Sequence, residues 1–405
     1  MAPHRVQRIA DDLRSPTLTS MLDLSRWVAA AMVFVAHLRN PLFLGYGDVQ
    51  PADRTWAVQL WYFVTGWHAE AVTVFFVLSG LLVGAAGCGR VAAGQFQPWN
   101  YAVDRVTRLY LPFLPALMLT YVLDLAGSTW FQAVGFWDHT HPMLVQKVNA
   151  PAFASMLSGD TLLGNALMLQ HYVVTPLGSN QPLWTISAEF WFYVVFLLAV
   201  LAFTLARGTA GWLLAVVALG AAFALLGPKF VVLLGLWCIG VAIAFIPPAR
   251  WQKLPLAIGT FVVLLAVIRT GQAAFDGNPF LREAKNYAVA FSFAYLILCV
   301  RGRRFPLLER AARLNEFMAG FSYSLYLLHF PLMLFVLAAL HASGLFPEIA
   351  TGFRPTSATG MAVYVLTIMT VYLLAWSFAQ FTERLTPKAR HLLKSALPLR
   401  GMKAR

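Results

Sequence analysis

LDLSRWVAAAMVFVAHLRNPLF, residues 22–43, decides how this chain is read. From Leu22 to Leu38 the side chains are mainly apolar over a length that crosses a bilayer core, for which roughly 17–25 residues are needed. The twenty residues ahead of it are too polar for the core of a secretory signal, so the run reads as a retained membrane helix. Its ionisable groups sit at its ends: Asp23 and Arg26 at the start, His37 at the finish, before Arg39, Asn40 and Pro41 stop the run.

The rest of the chain repeats that pattern. Of its 405 residues 59% are hydrophobic and only 12% charged, and the mean hydropathy is +0.67, more apolar surface than a soluble core can hide. About ten spans are expected, at 22–38, 71–87, 109–126, 183–206, 211–227, 230–247, 254–270, 284–300, 320–341 and 361–382. The fold class is therefore all-α, a polytopic membrane helical bundle. Residues 1–21 read as a cytoplasmic N-terminal segment, 22–382 as the integral-membrane domain and 383–405 as a basic cytoplasmic tail.

Orientation follows from the lysines and arginines, which short cytoplasmic loops retain. An even number of spans places 21 of them on the face holding both termini and 8 on the other, with Arg26 inside the first span completing the 30. Both termini are expected to be cytoplasmic. The same asymmetry accounts for the net charge of +13 through attraction to anionic lipid headgroups, and no basic run interleaved with aromatics points to nucleic acid. Cys88, Cys238 and Cys299 show no CxxC spacing and read as packing residues.

One connection is long. Residues 127–182 are rich in Trp, His, Pro and Gly, and contain TLLGNALML, 161–169, too short to cross and readable as a re-entrant or interfacial segment. A second outer loop, 39–70, carries Trp56, Trp61, Tyr62 and Trp67, which suits an interfacial aromatic belt. Asp138, His139 and His141 are a weak zinc pattern with no further ligand at convincing spacing, so no metal is expected.

Ionisable groups inside spans are costly, and each is a functional candidate. Asp23 and Arg26, three apart, can pair on one helix face. His37 lies eleven residues beyond Arg26, about 16 Å along a helix at roughly 1.5 Å per residue. It reads either as an interfacial histidine or as a general base, because imidazole titrates near neutral pH. Arg105 and Arg108, in NYAVDRVTRLYLP (100–112), are one turn apart and could grip a phosphate with two guanidinium forks; positive-inside topology alone would also put arginines there. In QPLWTISAEFWFY, 181–193, Glu189 sits one to two turns deep, at a depth comparable to His37, where a carboxylate needs a partner; a snorkelling or loop-paired carboxylate is the alternative. Ser187 in that stretch, Ser79 in FFVLSGLLVG (75–84), and Ser322, Tyr323 and His329 in FSYSLYLLHFPL (321–332) join Asp23 as candidates for substrate or structural support. Pro331 leaves the carbonyl of Leu327 without its helical donor.

These motifs, LDLSRWVAAAMVFVAH, FFVLSG, RVTRLYLP, LWTISAEFWFY and FSYSLYLLHFPL in that order, resemble the acyltransferase type 3 family, membrane-integral O-acyltransferases of bacterial surface and secreted molecules. Leu24 stands where the family's usual glycine follows the aspartate. The resemblance implies that His37 is the essential first-helix histidine, Arg105 and Arg108 the RxxR pair and Glu189 the fourth-helix glutamate. It further implies an acyl-CoA donor, most commonly acetyl-CoA, in a bacterial cytoplasmic membrane. On this reading the donor's phosphates dock at Arg105 and Arg108 with Arg26. His37, oriented by Glu189, takes the proton of a carbohydrate or glycolipid hydroxyl outside. The alternative is a transporter or flippase for a small solute or lipid-linked sugar, since buried charges also mark transport paths.

Overall fold

The computed structural model describes residues 15–144, 152–205, 208–247, 249 and 251–396. Its long helices are α1 (Pro16–Leu42), α2 (His68–Ser79), α3 (Pro98–Trp130), α4 (Trp184–Val200), α5 (Gly208–Ile243), α6 (Leu254–Thr270), α7 (Pro279–Val300), α8 (Ser322–Ala342), α9 (Ala358–Phe381) and α10 (Thr386–Ala396), and no strand occurs among the described residues. In lipid a backbone must satisfy its own hydrogen bonds, which leaves the helix as the form for these apolar runs.

Each of the ten expected spans falls on helix to within a few residues. By length and composition, seven helical stretches among the described residues can cross a membrane, and α6 is apolar but shorter. The expected spans 211–227 and 230–247 are the two arms of α5, which breaks at Gly227 (φ 71°) beside Pro228. The first turns of α7 hold Arg282, Glu283 and Lys285, and Lys285 is buried with its Nζ 3.3 Å from Glu70 on α2. The expected N-terminal segment up to residue 14 and the tail beyond 396 lie outside the described residues, as do Lys147, Arg207 and Arg250 among the counted charges.

Local sequence sets the helix ends. Ser15 caps α1, its hydroxyl accepting from Leu18 N–H, and Pro16 occupies the first turn, where its missing N–H costs nothing. Beyond Ser79, α2 widens into a π-helical stretch, Gly80–Ala85, and continues as Ala86–Ala92. There α5 crosses at backbone contact: a Cβ on Gly80 would lie 1.9 Å from the Trp237 carbonyl oxygen, and one on Gly240 would lie 2.0 Å from that of Val77. Such glycine crossings are how membrane helices approach closely without a hydrophobic drive between them.

The centre of the bundle is where α1 packs against α2 and α8, with α3, α4 and α9 around them. Phe34 of α1 is fully buried against His329 and Tyr372. The carbonyl that Pro331 frees is not left bare: Asn180 Nδ2, from the long connection, donates to Leu327 O at 2.9 Å and to Thr120 Oγ1 at 3.0 Å. Residues 161–166 of the short apolar segment complete a helix, Gly159–Ala166, whose Asn165 is buried and bonds Thr161, Thr175 and Leu177.

Candidate active site

Two cavities flank the middle of α1. The first, about 390 Å³, lies near its Arg26 end and is lined by Arg26, Arg105, Arg108, Glu189, Tyr193 and Glu383 among others. That volume is in the range of small-ligand sites. The ionic partners here are unequal. Arg26 lies 3.6 Å from Asp23. Arg108 lies 3.2 Å from Glu383, whose other oxygen accepts from the Ser324 N–H and hydroxyl at 2.8 Å each. Arg105 meets no carboxylate among the described residues. Its guanidinium lies over the rings of Tyr101 (5.9 Å) and Tyr193 (5.7 Å), and its buried Nε has no hydrogen-bond partner.

Glu189 belongs to this cavity. Its carboxylate accepts from the hydroxyl of Tyr193, one turn on in α4, and makes no contact with His37. The expected pairing of an α1 imidazole with an α4 carboxylate is thus replaced by an arrangement in which Glu189 sits with the arginines.

The partner of His37 is another histidine. His37 Nδ1 and His329 Nε2 are 2.9 Å apart, the rings nearly parallel with centroids 5.2 Å apart. His329 Nδ1 lies 2.8 Å from the Tyr326 carbonyl oxygen. His68, at the start of α2, places its ring 5.4 Å from His37 and leaves a buried Nδ1 unpartnered. The three rings do not converge: no group of three His, Cys, Asp or Glu side chains among the described residues is arranged to hold a metal ion.

The second cavity, about 560 Å³, opens at the Arg39 end of α1, between the loops after α1 and α3. Arg39, Asn40, Tyr62, Ser179, Gln181 and Phe330 line it. On α8, Tyr326 faces the first cavity and Phe330, one turn on, faces the second. His37 packs against Phe330 and His329 against Tyr326; neither histidine lines a cavity itself, and the pair touches one lining residue of each.

The remaining candidates divide. Ser79 Oγ is held between the Tyr193 hydroxyl (3.2 Å) and Trp237 Nε1 (3.2 Å) beside the glycine crossing. Ser187 donates to the carbonyl of Met168 and packs the long connection onto α4. Ser322 donates to Ala319 O in the first turn of α8, and Tyr323 to Leu109 O with Arg108 above its ring. The residues of the weak zinc pattern part company: Asp138 bonds Thr140, His139 packs on Phe153, and His141 is buried with Nε2 2.8 Å from Ile349 O and Nδ1 accepting from Met143 N–H. Burial holds the His141 pKa below the usual histidine range, the nearby His341 adding to the shift and the Ile349 carbonyl opposing it.

Sequence reasoning missed Glu383, Tyr193 and His68. Tyr193 was reachable, four residues from Glu189 on one helix face. Glu383 follows the last span with its partner 275 residues away, and His68 stood in an outer loop with nothing to single it out.

A family model described as an acyltransferase domain matches residues 20–380. Acyltransferase MdmB of Streptomyces mycarofaciens is 26% identical over 187 residues, a stretch covering 45% of this chain and 38% of that protein. No solved structure matches the chain.

Proposed function

The chain belongs to the acyltransferase type 3 family, and from that premise we propose that this membrane acyltransferase moves an acyl group, acetyl in the simplest case, from cytoplasmic acyl-CoA to a hydroxyl on the far side of the membrane. The acceptor is a carbohydrate or glycolipid, and the membrane is the bacterial cytoplasmic membrane with both termini inside. The 21 to 8 division of basic residues supports that orientation. Family membership favours acyl transfer over solute transport.

The observation that carries the reading is the position of the His37–His329 pair between Tyr326, which lines the arginine cavity, and Phe330, which lines the cavity of loop residues. The phosphates of the donor lie at Arg105, whose guanidinium has no carboxylate partner among the described residues, with Arg26 and Arg108 adding positive charge. The pantetheine arm runs past Phe75 and Tyr326 toward the histidines. The acceptor sits in the second cavity, where Tyr62 and Phe330 offer faces for a sugar and Asn40, Ser179 and Gln181 offer hydrogen bonds.

His37 takes the proton of the acceptor hydroxyl as that oxygen attacks the thioester carbonyl, a contribution of roughly 10²–10⁴ in rate. Glu189 acts with the arginine cavity, where its charge and the Tyr193 hydroxyl shape the donor site. The test is turnover of labelled acyl-CoA by full-length protein in proteoliposomes. His37→Ala is expected to abolish transfer with membrane abundance unchanged. Turnover near the wild-type rate in that variant removes His37 as the base.

A further inference from the structure

We infer that His329 is a positioning residue that decides which nitrogen of His37 is free to take a proton. The inference rests on the reading of His37 as the base and adds to it a defined tautomer. A carbonyl oxygen only accepts, so the 2.8 Å contact of His329 Nδ1 with Tyr326 O places a hydrogen on that nitrogen. A neutral imidazole carries one N–H, so His329 Nε2 is a lone pair. The 2.9 Å contact with His37 Nδ1 then requires the hydrogen to be on His37. His37 Nε2 is left bare, and it has no hydrogen-bond partner among the described residues.

The reverse arrangement needs a charged His329. That ring is 1% exposed, lies against Phe34 and Tyr326, and touches no carboxylate among the described residues. An unpaired charge there is costly. It would also put a hydrogen on His37 Nε2, where a base must accept.

In the transfer step the acceptor proton moves to His37 Nε2 while the acceptor oxygen bonds to the thioester carbon. The carbon–sulfur bond then breaks, and the leaving thiolate takes that proton back from Nε2, giving ester and free thiol. While His37 is charged, its Nδ1–H bond to His329 Nε2 strengthens. A neutral ring anchored on a backbone carbonyl thus does the orienting that a buried carboxylate does in a Ser-His-Asp triad.

The direct test is nitrogen NMR of full-length protein in nanodiscs labelled with ¹⁵N-histidine, the His37 signals being assigned by difference from His37→Asn. The expected spectrum, at a pH where the enzyme turns over, shows His37 protonated at Nδ1 and bare at Nε2. A hydrogen on His37 Nε2 overturns the inference. His329→Leu is expected to lower kcat by about ten- to a hundredfold with donor KM little changed. His329→Gln, whose amide oxygen can accept the Nδ1 hydrogen, is expected to recover most of that loss. Wild-type kcat in His329→Leu, or no recovery in a folded His329→Gln, also overturns it. His37→Ala separates the two readings: turnover retained there removes the base, whereas the tautomer is read from the wild-type spectrum.

Discussion

Replacing Arg105 and Arg108 one at a time is expected to separate binding from folding. Arg105 has no carboxylate partner among the described residues, and its contacts are two tyrosine faces and a cavity. Removing it strands no buried anion, so Arg105→Ala costs the fold only the cation–π contacts, about 0.5–1 kcal/mol each. If that guanidinium grips a donor phosphate, its loss forfeits about 1.5–3 kcal/mol, roughly a ten- to 150-fold rise in donor Kd. Arg108 is different. Its partner Glu383 has a side chain 3% exposed and also holds the first turn of α8 through Ser324. Stranding a buried carboxylate costs about 3–5 kcal/mol, and the lower end applies because Arg108 itself is 33% exposed. Arg108→Gln therefore melts earlier, and adding Glu383→Gln restores part of the loss. Donor affinity by calorimetry and thermal melts, both in nanodiscs, read the two effects. Wild-type donor affinity in Arg105→Ala, or a double variant no more stable than Arg108→Gln, refutes this division of labour.

Gly80→Ala places a methyl against the Trp237 carbonyl in a crossing that Gly240 makes equally tight from the other side. Overpacking of this kind costs about 1–3 kcal/mol, and the upper end is expected because backbone is what must move; a wild-type melting curve for Gly80→Ala would contradict it. His141 supplies a pH dependence. Its pKa in the fold is lowered, so the unfolded loop binds the proton first, and the stability of the loop at 131–144 falls as pH drops below about 6.5 toward the folded value. Faster amide exchange of that loop on acidification is expected, and His141→Gln, which keeps a donor for Ile349 O, should flatten the response; an unaltered response rules His141 out as the titrating group.

How much of this could be read beforehand depends on the range of the interaction. Apolar run length is local, so the long apolar helices were legible, and the three-residue spacings brought Asp23 to Arg26 and put Arg105 and Arg108 on one cavity wall. Which side chain meets which across helices was not. His37 and His329 are 292 residues apart, and Glu189 is nearer to His37 in sequence yet lies in the other environment. Depth in a span, the quantity sequence can estimate, does not specify rotation about the helix axis. Here the depth differs as well, because Glu189 lies in the cavity at the Arg26 end of α1 and His37 near the other end of that helix. The orphaned Leu327 carbonyl was predictable from Pro331, but its rescuer came from a loop about 150 residues earlier in the chain.

Asn180 gives that rescue a mechanical meaning. The loop that carries it also supplies Ser179 and Gln181 to the rim of the second cavity, while the carbonyl it holds is flanked by Tyr326 and Leu328, in the turn leading to His329. A guest that pushes this rim outward must work against the bond to α8, so opening the rim and loosening the histidine turn draw on one coupling free energy. Thermodynamic reciprocity then means that a guest which forces the rim open also loosens the turn its own hydroxyl has to reach, whereas one that seats without straining the bond leaves that turn as it was.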